Sequence, residues 1–226
     1  MRPSHRALGL ALVLTLGAAS PGSCQALGLP VYNSGVPTGM GIYGDVAFPD
    51  GAAGDGYTLG LSGRLGWSKL GFTATIASFD PGGPDNTLTT WGATGNYKLI
   101  GGPLVPFSAT LQGGVGYGKE DILVGGDAQT TEKTWHFPIG LGLALTIPNP
   151  ALAIKPWIAP RIDITETSVA DGPSDTDSNF GMSAGIEFNF LNGFGLQTAY
   201  DRVFVNGDDP GIFSLGAHYA FRIPGL

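Results

Sequence analysis

IFSLGAHYAF, residues 212–221, alternates large apolar side chains with small or polar ones. Successive side chains of a β-strand point to opposite faces of a sheet, so this period of two predicts a strand with one apolar face. That face ends in two aromatic rings and comprises Phe213, Leu215, Ala217, Tyr219 and Phe221. The other face is small and polar and comprises Ser214, Gly216, His218 and Ala220. Two such faces are typical of a sheet that separates lipid from a polar interior.

Nine upstream runs repeat this alternation. They cover residues 40–48, 57–67, 70–79, 89–97, 107–117, 135–145, 151–165, 180–190 and 194–200. The links after the second, fourth, sixth and eighth runs are short, and the other links are longer and polar, including 119–133 and 168–178. Short turns at one rim and long loops at the other are typical of a membrane barrel. The sequence therefore predicts an all-β fold, a closed antiparallel transmembrane β-barrel of ten strands.

Two prolines, Pro156 and Pro160, lie in the seventh run. A proline has no N–H for the ladder, and a closed sheet has no free edge that would tolerate this loss. We therefore expect a β-bulge or a locally unpaired stretch there. If this region did not span the membrane, the barrel would have eight strands, which is the alternative prediction.

A soluble secreted β-barrel or sandwich that binds a small ligand is the second alternative for the fold. Its polar face would meet water and carry many lysines and glutamates. Here the polar face is crowded with Gly, Ser, Thr and Ala, and charged residues make up only 13% of the chain. A face of small residues fits a confined lumen, so the sequence favours the membrane barrel.

Composition and the chain ends add three expectations. The net charge of −7 provides no basic surface for phosphates, so no nucleic-acid partner is expected. Residues 1–26 have a positive start, a short apolar core and small residues near Ala26, which predicts a signal peptide cleaved near that residue. The remaining chain divides into an irregular N-terminal periplasmic segment (27–39), the barrel (40–222) and a short C-terminal extension (223–226).

The last strand also carries a motif, formed by Ser214, Gly216, Tyr219 and Phe221. It is similar to the C-terminal assembly signal of small bacterial outer-membrane β-barrel proteins of the OmpA-like, single-chain kind. This resemblance implies a Gram-negative-type outer membrane as the location and the barrel assembly machinery as a partner during insertion. The chain departs from the family pattern because it continues for five residues beyond the final aromatic residue, Phe221.

Charged residues on the polar face are expected to line the lumen. The predicted network comprises Asp45, Arg64, Arg161, Asp163, Glu187, Asp201 and His218, with Lys98 and Lys155 as further candidates. Both signs are present and isolated charges in a confined interior are costly, so we expect mutual pairing. The alternative is that the same residues line a narrow pore for small solutes.

Aromatic residues at the ends of the runs are expected to form girdles at the membrane–water interfaces. The predicted girdle comprises Phe48, Tyr57, Trp67, Tyr97, Tyr117, Trp135, Tyr200 and Tyr219. Outer-membrane lipid and lipopolysaccharide are therefore expected partners. The acidic loops suggest a further hypothesis, in which divalent cations bridge them to lipopolysaccharide.

Enzyme chemistry is the minority interpretation. A lipid-modifying enzyme would use a histidine in the lumen or at its rim, and Asp201 on the neighbouring strand could orient His218. The sequence contains no G-x-S-x-G nucleophile motif. Asp175, Asp177 and Asn179 begin like a calcium loop, but Phe180 and Ile186 occupy the required Gly and Glu positions. We therefore predict no enzyme, cofactor or metal, and a structural or surface-interaction role.

Overall fold

The computed structural model describes residues 33–37, 39–80, 87–102, 105–124, 128–169, 172 and 174–221. The predicted signal peptide and the C-terminal extension lie outside these residues. In the described part of the chain, no helix is long and apolar enough to cross a bilayer.

Eleven strands form a single antiparallel sheet that closes on itself. They are β1 (Gly39–Pro49), β2 (Tyr57–Trp67), β3 (Leu70–Asp80), β4 (Leu88–Gly102), β5 (Val105–Val124), β6 (Ala128–Leu145), β7 (Ile147–Pro148), β8 (Leu152–Val169), β9 (Ser174–Phe190), β10 (Phe194–Phe204) and β11 (Gly211–Phe221). A 3-10 helix (Gly51–Ala53) follows β1. Strand β7 has two residues and pairs only with β8, whereas β6 also pairs directly with β8. Pairing of β1 with β11 closes the barrel, so the prediction of ten spanning strands is confirmed.

Both ends of the described barrel lie at one rim, because β1 begins where β11 ends. We call this the terminal rim, and the opposite rim, where β1 joins β2, the loop rim. Short turns such as Ser68–Lys69 lie at the terminal rim. In a transmembrane barrel the rim with short turns faces the periplasm, so the loop rim faces outward from the cell.

The barrel has apolar side chains outside and polar side chains inside, the reverse of a soluble protein. Large apolar side chains on the outer face are exposed, as at Leu61 (56%), Phe72 (56%) and Trp67 (61%). Fully buried positions include Thr58, Thr90 and Gln112. Water would disfavour so continuous an apolar exterior, whereas lipid requires it. The soluble alternative is therefore wrong, and the predicted assignment of the two faces is confirmed.

Strand β8 runs through both prolines without a break and pairs with β9 at Pro156 and Pro160. Its ladder to β6 is interrupted between Arg161 and Ile158, on either side of Pro160. The expected unpaired stretch therefore exists on the side of β8 that faces β6, and not on the side that faces β9. The N–H that proline lacks would have pointed toward β6. Because the strand still spans, the eight-stranded alternative is wrong.

Four strands extend beyond the loop rim into segments that the sequence did not assign to strands. Strands β5, β6, β8 and β9 have 20, 18, 18 and 17 residues, whereas β2 and β3 have 11 each. The segments 119–133 and 168–178, which the sequence analysis assigned to loops, are mostly continuations of these strands. They pair with one another beyond the loop rim. We call this extension, formed by 118–124, 128–134, 165–169 and 174–179, the protruding sheet.

The turn between β9 and β10 is a three-residue loop formed by Leu191, Asn192 and Gly193. Gly193 has a positive φ of 88°, which favours glycine, and the Asn192 side chain accepts a hydrogen bond from the N–H of Phe194.

Candidate functional site

A buried charge cluster lies in the half of the lumen nearer the loop rim. The Arg161 guanidinium donates from Nε to Asp163 at 2.7 Å, from Nη1 to Asp201 at 2.6 Å and from Nη2 to the second Asp201 oxygen at 2.9 Å. It also donates to Ser183 Oγ at 2.8 Å, and Ser183 Oγ donates to Asp201. The four side chains come from β8, β9 and β10. One guanidinium thus joins three strands, and we call these residues the Arg161 cluster.

A second cluster lies nearer the terminal rim and centres on Glu187. Its carboxylate accepts from Arg64 Nη1 at 3.2 Å and from Ser34 Oγ at 2.8 Å. Lys155 Nζ donates to the same serine hydroxyl at 2.9 Å. The Arg64 guanidinium also lies 3.8 Å from the centre of the Tyr43 ring, which is within range of a cation–π interaction. We call these five residues the Glu187 cluster.

The predicted network is therefore divided between two clusters instead of forming one. His218 stacks on Tyr43 with ring centres 4.6 Å apart, and its Nε2 lies 3.0 Å from Asn189 Oδ1. Asp45 accepts a hydrogen bond from Gln197. The idea that Asp201 orients His218 is wrong, because their positions in the β10–β11 ladder are six residues apart, about 20 Å along the strand.

The segment assigned from the sequence to the periplasm enters the barrel. Of its residues 27–39, the five at 33–37 are described inside the lumen, with Asn33 and Ser34 buried. Asn33 donates from its amide to Thr73 Oγ1 at 3.3 Å, and its backbone oxygen accepts from Gln112 Nε2 at 3.1 Å. Together with the bond from Ser34 to Glu187, these contacts hold the segment across the interior as a plug.

A buried apolar cluster lies in the lumen at the loop rim. Ala47, Ala53, Ala77 and Ile212 form a buried cluster. Ala53 belongs to the 3-10 helix, which is held by bonds from Ala53 N to the Asp50 side chain and from Asp50 N to Gly211 O. At the terminal rim a cavity of about 640 Å³ extends inward to Arg64, Lys155 and Glu187, where the plug ends it.

A second histidine, His136, also lies in the lumen. It is buried, and its Nδ1 is 3.1 Å from Thr165 Oγ1. Within the described residues, no group of three or more His, Cys, Asp or Glu side chains could hold a metal ion.

Glu120 and Glu132 face each other across β5 and β6 in the protruding sheet. Both point to the inner side and are half buried. Partial burial raises the pKa of each carboxyl above its ordinary value, and the charge of Glu120 raises the pKa of Glu132 further. Directly opposed like charges destabilise a sheet, so this pair weakens the hairpin when both carboxyls are ionised.

The predicted girdle residues all lie on the outward face. Trp67, Tyr97 and Tyr219 lie toward the terminal rim, and Phe48, Tyr57, Tyr117, Trp135 and Tyr200 toward the loop rim. Trp91, which the sequence analysis left out, completes a compact group with Tyr117 and Trp135, with ring centres 4.7–5.8 Å apart. Of the predicted assembly signal, Tyr219 and Phe221 face outward, and Ser214 and Gly216 face the lumen.

Sequence reasoning missed the polar partners that complete the two clusters. Ser183 and Ser34 are uncharged, and Tyr43 resembles many other lumen residues. Lys155, considered only as an addition, proves to be a full member of the Glu187 cluster. Their alternation places them on the inner face, but no local pattern shows which strands bring them together.

Several solved structures of outer-membrane proteins are similar to this chain. The chain is similar to the N-terminal β-barrel domain of OprF from Pseudomonas aeruginosa (10% identity, 80% of this chain and 96% of that chain, TM-score 0.39). It is also similar to the attachment invasion locus protein Ail of Yersinia pestis (14%, 80% and 99%, 0.38) and to the outer membrane protease OmpT from Escherichia coli (9%, 81% and 94%, 0.40). At these identities and TM-scores the likeness carries no argument about activity.

No curated protein matches the sequence. A family model described as the outer membrane protein beta-barrel domain matches residues 9–221, nearly the whole chain. Together with the closed ten-stranded barrel and its apolar exterior, this match establishes that the chain belongs to the outer membrane protein β-barrel family.

Proposed function

We propose that this protein is a surface-interaction protein whose barrel anchors the protruding sheet outside the membrane. The barrel is exported by the signal peptide cleaved near Ala26 and inserted by the barrel assembly machinery. Its role is to bind an extended polypeptide segment of a partner along a free edge of the sheet. The observation that carries this proposal is the pair of unpaired edges that the sheet presents.

The first edge belongs to β5. Among the described residues, β5 pairs with β4 only as far as Tyr117, opposite Trp91. The seven residues from 118 to 124 pair with β6 alone and extend about 20 Å along the strand. A strand edge with unused N–H and C=O groups is a template for an added strand.

The second edge belongs to β9. Its pairing with β10 ends at Phe180, opposite Phe204, so residues 174–179 pair with β8 alone. The Thr176 N–H donates to its neighbour's carboxylate, Asp175 Oδ1, at 3.0 Å and therefore points away from β8. Alternate N–H groups of a strand point to the same side, so the Ser178 N–H also faces the free edge.

The closed interior supports anchoring over transport. The apolar layer at the loop rim, the Arg161 cluster, the plug and the Glu187 cluster follow one another along the lumen. Each layer holds its side chains by burial or by hydrogen bonds with a charged partner. Solute passage would have to break several of these layers at once.

A selection experiment tests edge binding. Short peptides displayed on phage are selected on the purified barrel in detergent, and enriched peptides are then measured against Ser178→Pro. Proline removes an edge N–H without removing a ladder bond to β8, so peptides that use this edge lose affinity. Ser178→Ala keeps the N–H and serves as the matched control. If no peptide is enriched, or if enriched peptides bind both variants like the original protein, the proposal is wrong.

A narrow pore gated by the plug is the second candidate. It is favoured by the 640 Å³ cavity, because plug residues from 34 to 37 are among the described residues that line it. Planar-bilayer recordings distinguish the two functions. A variant lacking residues 33–37 conducts if the plug is the gate, and it remains silent if the other layers keep the barrel closed.

A further inference from the structure

We propose that the outer wall from β1 to β6 binds one lipopolysaccharide molecule, with its phosphates on Lys119 and Lys133 of β5 and β6 and one acyl chain in the groove that β1 to β5 form toward the terminal rim. This site includes Lys119 of the β5 edge, but it uses side chains on the outward face, whereas a bound strand would use the N–H and C=O groups of the edge.

The phosphate site is a pair of lysines. Lys119 and Lys133 are directly opposite each other in the β5–β6 ladder, and both are exposed on the outward face. Opposed residues have Cα atoms about 5 Å apart, and like charges at that spacing destabilise a sheet. The side chains that the structure describes form no ion pair with either ammonium. An anion between the two ammonium groups would relieve this repulsion.

The level of the lysines in the membrane fits a lipid headgroup. In the β5–β6 ladder, the next outward-facing pair from the lysines toward the membrane is Tyr117 and Trp135. These rings pack with Trp91, and such aromatic groups lie where the bilayer meets water. The two ammonium groups therefore lie at the height of phosphates. Because this is the loop rim, the leaflet is the outer one, where lipopolysaccharide is the anionic lipid.

The acyl-chain site is an apolar groove on the same wall. Below the aromatic group, the outward-facing pairs of β4 and β5 are Ala93 with Val115 and Gly95 with Gly113. These residues belong to a groove of about 680 Å³ that continues across Ala74 and Gly63 to Ile42. Lys119 and Gly113 are six residues apart on β5, about 20 Å along the strand. The headgroup and the acyl chain of one lipid would therefore contact the same strand one after the other.

Steric crowding does not account for glycine at two of these positions. A Cβ at Gly95 or Gly113 would meet no atom closer than 4.0 Å, and neither residue has a positive φ. Glycine within a strand also weakens it. Larger side chains would fill the groove without disturbing the barrel, which makes both positions usable in a test.

The test measures binding of bisphosphorylated lipid A to the purified full chain in detergent by native mass spectrometry. Each amine near an anionic surface contributes about fivefold in affinity, so Lys119→Gln with Lys133→Gln should weaken binding about thirtyfold. Dephosphorylated lipid A should bind the original protein and this double variant equally. Lys69→Gln, in the turn at the opposite rim, is the control and should have no effect.

Filling the groove tests the acyl chain. Gly95→Leu with Gly113→Leu should weaken binding of both forms of lipid A. Gly44→Leu, also outward-facing with open space but outside the groove, should not. Heat-modifiable migration on gels confirms that every variant is folded. Unchanged binding in either double variant, an equal loss in the controls, or equally tight binding of phosphatidylglycerol would overturn the proposal.

Discussion

Replacing Arg161 with methionine tests whether the Arg161 cluster holds the barrel together. The guanidinium and both carboxylates have side chains only 2–3% exposed. Arg161→Met removes the cation and leaves Asp163 and Asp201 buried without their charged donor. Removing one partner of a buried ion pair costs about 3–5 kcal/mol, which we expect as the loss in the free energy of unfolding.

The assay is guanidinium unfolding of the protein inserted in lipid vesicles, followed by tryptophan fluorescence and by migration on gels. Arg202→Met is the matched control. Arg202 pairs with Asp209 at 3.3 Å, but their side chains are 44% and 24% exposed, so the loss should be below about 1 kcal/mol. Adding Asp163→Asn and Asp201→Asn to Arg161→Met should recover most of the stability, because no buried charge is then left unpaired.

The reasoning is refuted if Arg161→Met unfolds at the same denaturant concentration as Arg202→Met. It is also refuted if the triple variant is less stable than Arg161→Met alone. Either result would mean that the lumen solvates the two carboxylates without the guanidinium.

Three further predictions concern other parts of the chain. The raised pKa values of Glu120 and Glu132 mean that the folded hairpin binds protons more tightly than the unfolded chain, so its stability should fall as the pH rises through those values. The protection factors of β5 and β6 amides, which compare each exchange rate with the intrinsic rate at the same pH, should therefore rise on mild acidification, and Glu132→Gln should remove most of this rise. Phe221→Ala should impair membrane insertion in cells, whereas truncation directly after Phe221 should leave it intact; the opposite pattern would place the assembly signal further along the chain. Gly185→Leu should abolish the heat-modifiable form, because its Cβ would lie 2.6 Å from a backbone oxygen and from a buried indole, whereas Gly44→Leu should fold normally.

The protruding sheet shows where sequence-based prediction reached its limit. Within the membrane, lipid on one side and a confined lumen on the other impose alternation, and the runs at 57–67 and 135–145 display it clearly. Beyond the rim both faces meet water, so alternation no longer distinguishes a strand from a loop. Thr134 pairs with both β5 and β8, and Thr130 and Thr131 pair with β5, so these residues form a strand through contacts that the local sequence does not show.

The sequence alone determined the identity of the two faces, the number of spanning strands and the residues available to the lumen. It did so because successive side chains of a spanning strand face lipid and lumen in turn, and lipid requires apolar side chains. Only the tertiary structure decided which lumen residues meet. Arg161 forms an ion pair with Asp201, which therefore does not orient His218, and Ser34 donates a hydrogen bond to Glu187. The order of the strands around the barrel and their register fix these contacts between residues that are far apart in the sequence. The same register places Lys119 beside Lys133, and no local pattern in the chain contains that information.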